Sequence, residues 1–267
     1  MNQKLKEVFK DTCKIFKEDM ELSKQLEESM NNTLIINIDD IKSYKSEIIT
    51  PINIVISNES SIDEALKQSS SGKSVMVLNF ASAISPGGGV KNGSTAQEES
   101  LCRASGLYQC LVNQKSFYNY HRLHKNYLYN NVIIYSPNVP VIKDNEGNLL
   151  DKPNLISFIT SPAVYAKYAR MFFISDEKIN SVMKERINKL IDFIIEKSPD
   201  CAILGAFGCG VFKNNPNSIA TMFKEAIVSR SNELNSRNIK IVFAIYDKEK
   251  TGVNYRTFHK ILKEDTK

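Results

Sequence analysis

The chain has 267 residues and a net charge of +5, with 42% hydrophobic and 24% charged residues. These are the proportions of a globular protein with material for a sizeable core, and no apolar run approaches the roughly 20 residues of a membrane-spanning helix. The five cysteines (Cys13, Cys102, Cys110, Cys201, Cys209) form no C-x-x-C and are odd in number, which argues against a disulfide framework and a zinc site.

The N-terminus, MNQKLKEVFKDTCK, is charged throughout and lacks a signal-peptide apolar region, so a cytoplasmic location is expected. Residues 4–30 carry apolar side chains at helical spacing (Leu5, Val8, Phe9, Cys13, Phe16, Met20, Leu22, Leu26) and predict an accessory helical segment ended by Asn31-Asn32. Strands are predicted at 34–38 and 52–56, with a short helix at 61–69. Ser71-Gly72-Lys73-Ser74 looks like the end of a phosphate-binding Walker loop, but Lys67 stands where that motif needs glycine and the strand follows rather than precedes it.

A buried strand at 75–78 leads into FASAISPGGGVKNGSTAQEES, with Gly87, Gly88 and Gly89 in succession. Ser94 and Thr95 are good helix caps, and Thr95-x-x-Glu98 and Ser94-x-x-Gln97 both fit a capping box. A strand, a glycine loop and a helix N-terminus together make an anion-binding device. The helix begun at Gln97 is expected to run to about 121 with a break near Gly106. His121 and His124 inside it read as surface or core histidines, without further metal ligands.

A strand at 132–135 precedes SPNVPVIKDNEGNLLDKP, which reads as a long irregular loop because of its three prolines, with a turn at Glu146-Gly147. Beyond a strand at 155–159 and a helix at 178–197, the strand 201–207 runs into a second glycine loop, GAFGCGVFKNNP. A helix (217–235), a last strand (239–246) and a closing helix (254–262) complete the chain. Strands alternating with helices predict an α/β fold, in which ligands sit beyond the carboxyl ends of strands, where both glycine loops lie.

With both loops considered, the sequence resembles the bacterial-type poly(ADP-ribose) glycohydrolases, a branch of the macrodomain fold. The resemblance rests on Gly87-Gly88-Gly89, a spacer and Gln97-Glu98-Glu99, on GAFGCGVFKNNP, and on Asn79 at the strand end. YSPNVPVIKDNEGNLL and SFITSPAV also resemble family segments, and the match spans about 75–262. Tyr165 departs from it, standing where the family has asparagine. The resemblance implies a macrodomain-like α/β/α sandwich with a mixed, largely parallel central sheet over residues 46–267, preceded by the accessory segment 1–45.

It implies hydrolysis of the ribose–ribose O-glycosidic bond without metal or cofactor. Glu99 would act as general acid and base, Glu98 would hold ribose hydroxyls, and Gln97 would assist. Gly87, Gly88, Gly89, Val90 and Asn79 would surround the distal ribose. Gly208, Cys209, Gly210 and Val211 would wrap the diphosphate, with Phe212 against the ribose and Tyr246 facing the adenine. Gly208→Val is then expected to abolish binding and spare the fold. A helix N-terminus lowers a carboxyl pKa whereas a general acid needs it raised, so burial must supply the opposite push. The expected partner is ADP-ribose or its polymer, free or on protein, bound by a monomer, with no sequence-specific nucleic-acid binding. Removal of mono-ADP-ribose, or non-catalytic ADP-ribose binding, are the alternatives.

Overall fold

The computed structural model describes residues 2–247 and 252–263. In chain order the elements are α1 (Gln3–Glu18), α2 (Met20–Asn31), β1 (Leu34–Asn37), β2 (Ile54–Ser57), α3 (Ser61–Ser69), β3 (Val75–Phe80), α4 (Gln97–Ala104), α5 (Leu107–Val112), α6 (Lys115–Leu123), β4 (Val132–Lys143), β5 (Leu149–Ser161), α7 (Ala166–Met171), α8 (Asp176–Lys197), β6 (Cys201–Leu204), α9 (Pro216–Val228), α10 (Ser231–Ser236), β7 (Lys240–Ala244) and α11 (Val253–Lys263). The fold is mixed α/β, as expected: β2–β7, β3–β5 and β6–β7 pair parallel, and β4–β5 antiparallel. No described helix is long and apolar enough to cross a membrane.

The chain forms two compact units, taken from the described residues of Met1–Ile36, Ser60–Lys125 and Val132–Pro162, and of Asn37–Glu59, Asn126–Asn131 and Ala163–Lys267. This division runs differently from the expected boundary after residue 45. The reason lies in α1 and α2, which are built into the first unit. Thr12 Oγ1 donates to Arg103 O at 2.6 Å, and Ser29 Oγ to Asn138 O at 2.8 Å. The buried Lys143 ammonium pairs with Asp11 at 2.6 Å. The predicted single helix is two, because Asp19 turns extended and its Oδ1 accepts the N–H groups of Glu21 and Leu22, capping α2.

In the first unit the strand order is β1-β4-β5-β3. The stretch expected to be an irregular loop is a long antiparallel hairpin, with its turn at Glu146-Gly147 as predicted. Its prolines are accommodated rather than disruptive: the register slips between Ser136 and Val139, where Pro137 lies. Pro140 needs no donor there, and its carbonyl takes the N–H of Gly106 at 3.0 Å. Gly106 also marks the predicted helix break. A side chain on it would start 2.5 Å from Leu26 Cδ1, so the chain bends here beneath α2.

In the second unit β6, β7 and β2 lie side by side in parallel, with Cys201 opposite Lys240 and Ile54 opposite Ile241. Ile203, Val242 and Phe243 are fully buried, Phe243 with Phe223 of α9 and Phe258 of α11 around its ring. Each such side chain contributes about 1.5–3 kcal/mol. The fully buried Arg186 donates to Asn131 Oδ1 and to the carbonyls of Leu128 and Tyr129, which fixes segment 126–131.

Candidate active site

In the first unit the site starts at the end of β3. Asn79 is fully buried and its Nδ2 donates to Thr160 Oγ1, its register partner on β5, at 3.1 Å. Gln97 then fastens the first turn of α4 to that strand end. Its Nε2 donates to Leu78 O at 2.8 Å and to Ser61 Oγ at 3.1 Å, and its Oε1 accepts the Phe80 N–H at 2.9 Å. The amide of Gln97 is thus engaged inside the protein and positions the helix. The expected capping boxes do not form: Ala96 is the N-cap and makes no side-chain cap bond. Glu98 and Gln97 turn instead toward the backbone that leaves β3, and the Ser94 carbonyl accepts from Arg103.

Glu98 and Glu99 are both buried, at 3% and 8% exposure, so Glu99 is the more open. Glu98 Oε2 accepts the Ser82 N–H at 2.7 Å, and Glu99 Oε1 accepts the Gly89 N–H at 2.8 Å. Gly88, at φ +55°, lies directly on the pair: a side chain there would start 2.5 Å from Glu99 Oε1 and 3.1 Å from Glu98 Oε2. The rest of the loop is occupied too. Gly88 N–H goes to Ser85 O, and Val90 N–H to Gly87 O, with the Val90 side chain in the core. Gly87 packs against Tyr108. Of these donors, that of Gly89 holds a carboxyl of the chain itself, Glu99, and those of Gly88 and Val90 close on backbone carbonyls.

Burial pushes the Glu98 carboxyl up to about 8 against the opposing Ser82 N–H, and the neighbouring Glu99 charge adds to the rise. Burial outweighs the opposing hydrogen bonds and makes Glu98 harder to ionise than a free carboxyl. Glu98 Oε1, Glu99 Oε2 and Asn79 Oδ1 are buried without a hydrogen-bond partner among the described residues. An unsatisfied buried acceptor costs about 1–3 kcal/mol, so this cluster suits a ligand rich in hydroxyl donors.

In the second unit the loop after β6 is pinned by Asn214, whose Nδ2 donates to Val164 O at 2.8 Å and Gly208 O at 3.1 Å. Gly208 has φ +74°, and a side chain there would start 2.5 Å from both Ala163 Cβ and Asn214 Nδ2. Gly208→Val therefore disturbs the fold, contrary to expectation, because the position is packed by the protein itself. Gly210 is different: a side chain there would meet nothing within 4 Å. The N–H groups of Gly208, Gly210, Val211 and Phe212 reach no acceptor among the described residues. Such a run of free donors in a turn suits phosphate oxygens.

Burial pushes the Cys209 thiol up to about 12, so it sits in this loop as an inert small side chain. Phe212 is half-buried and stacks on Tyr165 with centroids 4.3 Å apart and planes 15° from parallel. Tyr246 lies two residues beyond β7 and is 60% exposed, just before Asp247, whose backbone is clasped by the Asn58 amide. Among the described residues no group of three or more His, Cys, Asp or Glu could hold a metal ion. Sequence reasoning missed Ser82, Asn214 and the support Tyr165 gives Phe212. Only Tyr165 carried a signal, its departure from the family pattern.

The family model for the microbial-type PARG catalytic domain matches residues 6–144, just over half of the chain. The chain belongs to the microbial-type PARG family. It is thereby a glycosidase of the kind that hydrolyses poly(ADP-ribose). The match takes in α1, the first glycine loop and Gln97-Glu98-Glu99, and the similarity of solved PARG structures extends it over the second loop. The enzyme from Thermomonospora curvata is 28% identical, with 97% of this chain and 100% of that one covered at a TM-score of 0.87. The same enzyme bound to the inhibitor ADP-HPD is 28% identical, covering 97% and 99% at 0.85. PARG from Deinococcus radiodurans in complex with ADP-ribose is 27% identical, covering 89% and 96% at 0.77. No curated protein sequence matches the chain.

Proposed function

We propose that the chain releases ADP-ribose from poly(ADP-ribose) by carboxyl catalysis at Glu98 and Glu99. The observation that carries this reading is the pair itself: two adjacent buried carboxyls, each with one oxygen held by a backbone N–H and the other unpartnered. Glu99, the more open of the two, protonates the oxygen leaving the anomeric carbon. The C–O bond breaks through an oxocarbenium-like state. The Glu99 carboxylate then takes a proton from the attacking water, which restores the acid. Glu98, whose burial disfavours its charged form, holds ribose hydroxyls. Asn79 accepts from the same sugar. The free N–H groups of the second loop take the diphosphate, Phe212 lies along the ribose, and Tyr246 offers its face to the adenine. The substrate reaches the enzyme free or attached to protein. The five cysteines form no disulfide with one another, which suits a reducing compartment, and we place the protein in the cytoplasm.

The test is incubation with automodified polymerase carrying polymer and, separately, with mono-ADP-ribosylated protein. Free ADP-ribose should accumulate from the polymer while the protein-linked unit stays in place. Binding of ADP-ribose without cleavage of either substrate would make the protein a reader, and release of the protein-linked unit would make it a mono-ADP-ribose hydrolase.

A further inference from the structure

On the face of α1 away from the core, Lys6, Lys10, Lys14 and Lys17 fall within an arc of about 80° at 100° per residue. They form a stripe roughly 16 Å long. Lys91, from the turn directly after Gly89, closes the other side of a cleft of about 560 Å³ that these lysines share with Phe9, Cys13, Tyr108 and Glu18. Among the described residues the stripe makes one ion pair, the exposed, 3.8 Å contact of Lys14 with Glu18, which screens little of its charge. Of the other acids on the helix, Glu7 accepts from Gln3 and Asp11 is engaged by Lys143.

Phe9 and Tyr108 meet edge to face at 5.0 Å, and the Lys91 ammonium lies 5.2 Å from the Tyr108 ring. Phe9 is buried behind it, so the half-buried Tyr108 is the ring a base can reach, and a ring flanked by cations is the chemistry that holds a nucleotide: a face for the base, charge for the phosphates. The same Tyr108 ring packs against Gly87 of the catalytic loop. The orientation of the cleft is fixed by the bond from Thr12 to the Arg103 carbonyl at the end of α4.

We infer that this lysine-lined cleft is a second binding site, taking an ADP-ribose unit of the polymer other than the one being cut. The inference rests on the glycohydrolase reading and adds a preference to it: long chains bind better than short ones, through diphosphates that never reach Glu98 and Glu99. A repeated anion with a base in each repeat fits both the stripe and the Tyr108 ring. A lone phosphate would use only part of them.

The test is the triple substitution Lys10→Ala, Lys14→Ala and Lys17→Ala in the full chain, all at exposed positions. Binding of long poly(ADP-ribose) and of a two-unit oligomer is measured across salt concentrations, together with turnover of both. For the long polymer the variant should lose about tenfold in affinity at low salt, and its log–log salt slope should shrink by about two, near 0.7 for each phosphate contact removed. KM for the long polymer should rise with kcat unchanged, and the two-unit oligomer should be bound and cut as before. An unchanged slope with long polymer, or an equal loss for the oligomer, overturns the inference. So does duplex DNA or RNA competing as well as the polymer in the parent protein, which would make the cleft a general nucleic-acid surface. If the parent protein cleaves nothing, the glycohydrolase reading fails, while the salt slopes still decide the cleft.

Discussion

In the first glycine loop the N–H of Gly88 goes to Ser85 O, that of Gly89 to the Glu99 carboxyl and that of Val90 to Gly87 O. In the second, the N–H groups of Gly208, Gly210, Val211 and Phe212 find no acceptor among the described residues. Both loops follow a strand and precede a helix, and the sequence motif reads alike in the two. One spends its donors within the chain, two on its own carbonyls and one on the Glu99 carboxyl; the other keeps them for a ligand. A glycine loop is therefore not an anion site in itself; what decides is whether acceptors of the same unit have already taken the donors. Within the pair, burial raises the Glu98 carboxyl against the lowering bond from the Ser82 N–H.

The comparison breaks most visibly at Gly88. Gly88→Ala forces a side chain into the carboxyl pair at positive φ, so the variant should lose about 1–3 kcal/mol of stability and at least about a hundredfold in turnover. Denaturant melts and a polymer assay check both; wild-type turnover would separate the loop from the chemistry. Gly210→Val is the converse. Its stability should stay within about 0.5 kcal/mol of the parent, because the added side chain meets no protein atom. ADP-ribose affinity by calorimetry should fall at least about tenfold, as the side chain crowds the free donors, and unaltered affinity would remove this loop from the diphosphate site.

A smaller effect separates the carboxyls by pH. Glu98 has its ordinary value of 4.5 raised to about 8 in the folded chain. Folding therefore takes up a proton between these values, so the stabilisation is full below the lower value and is lost as the pH rises through the upper one. Glu98→Gln removes this dependence, and its melting temperature should fall less than the parent's between about pH 5 and pH 9, by at least about 1 kcal/mol in stability. Parallel pH profiles for the two proteins would contradict a protonated Glu98. The smallest effect is expected at Tyr165→Ala, which takes away the ring behind Phe212. Stacked pairs are worth about 0.5–1.5 kcal/mol, so KM should rise a few-fold with kcat near normal; a large fall in kcat would give Tyr165 a different role.

Much of this was legible in the chain because local patterns fix local structure. The apolar run before each glycine loop, the break at Gly106 and the turn at Glu146-Gly147 all follow from residue type and spacing. Prolines misled where they fell in a hairpin with slipped register, since their missing donors are harmless at a bulge. Thr95 and Ser94 promised caps, but the backbone leaving β3 competes for Glu98 and Gln97, and that competition is tertiary. The difference between Gly208 and Gly210 was illegible for the same reason. It depends on Ala163, from another part of the chain, and on Asn214, folded back within the loop, which both reach Gly208 and leave Gly210 open.

The division of labour between holding and reacting is tested most directly at Glu99. Glu99→Gln keeps the bond from Gly89 and the shape of the pair but has no carboxyl proton to give. Measured side by side with the parent, the variant should bind ADP-ribose with affinity within a few-fold, and its release of ADP-ribose from polymer should fall by about 10² to 10⁴. Polymer cleavage at nearly the parent rate in a folded Glu99→Gln protein would contradict the account.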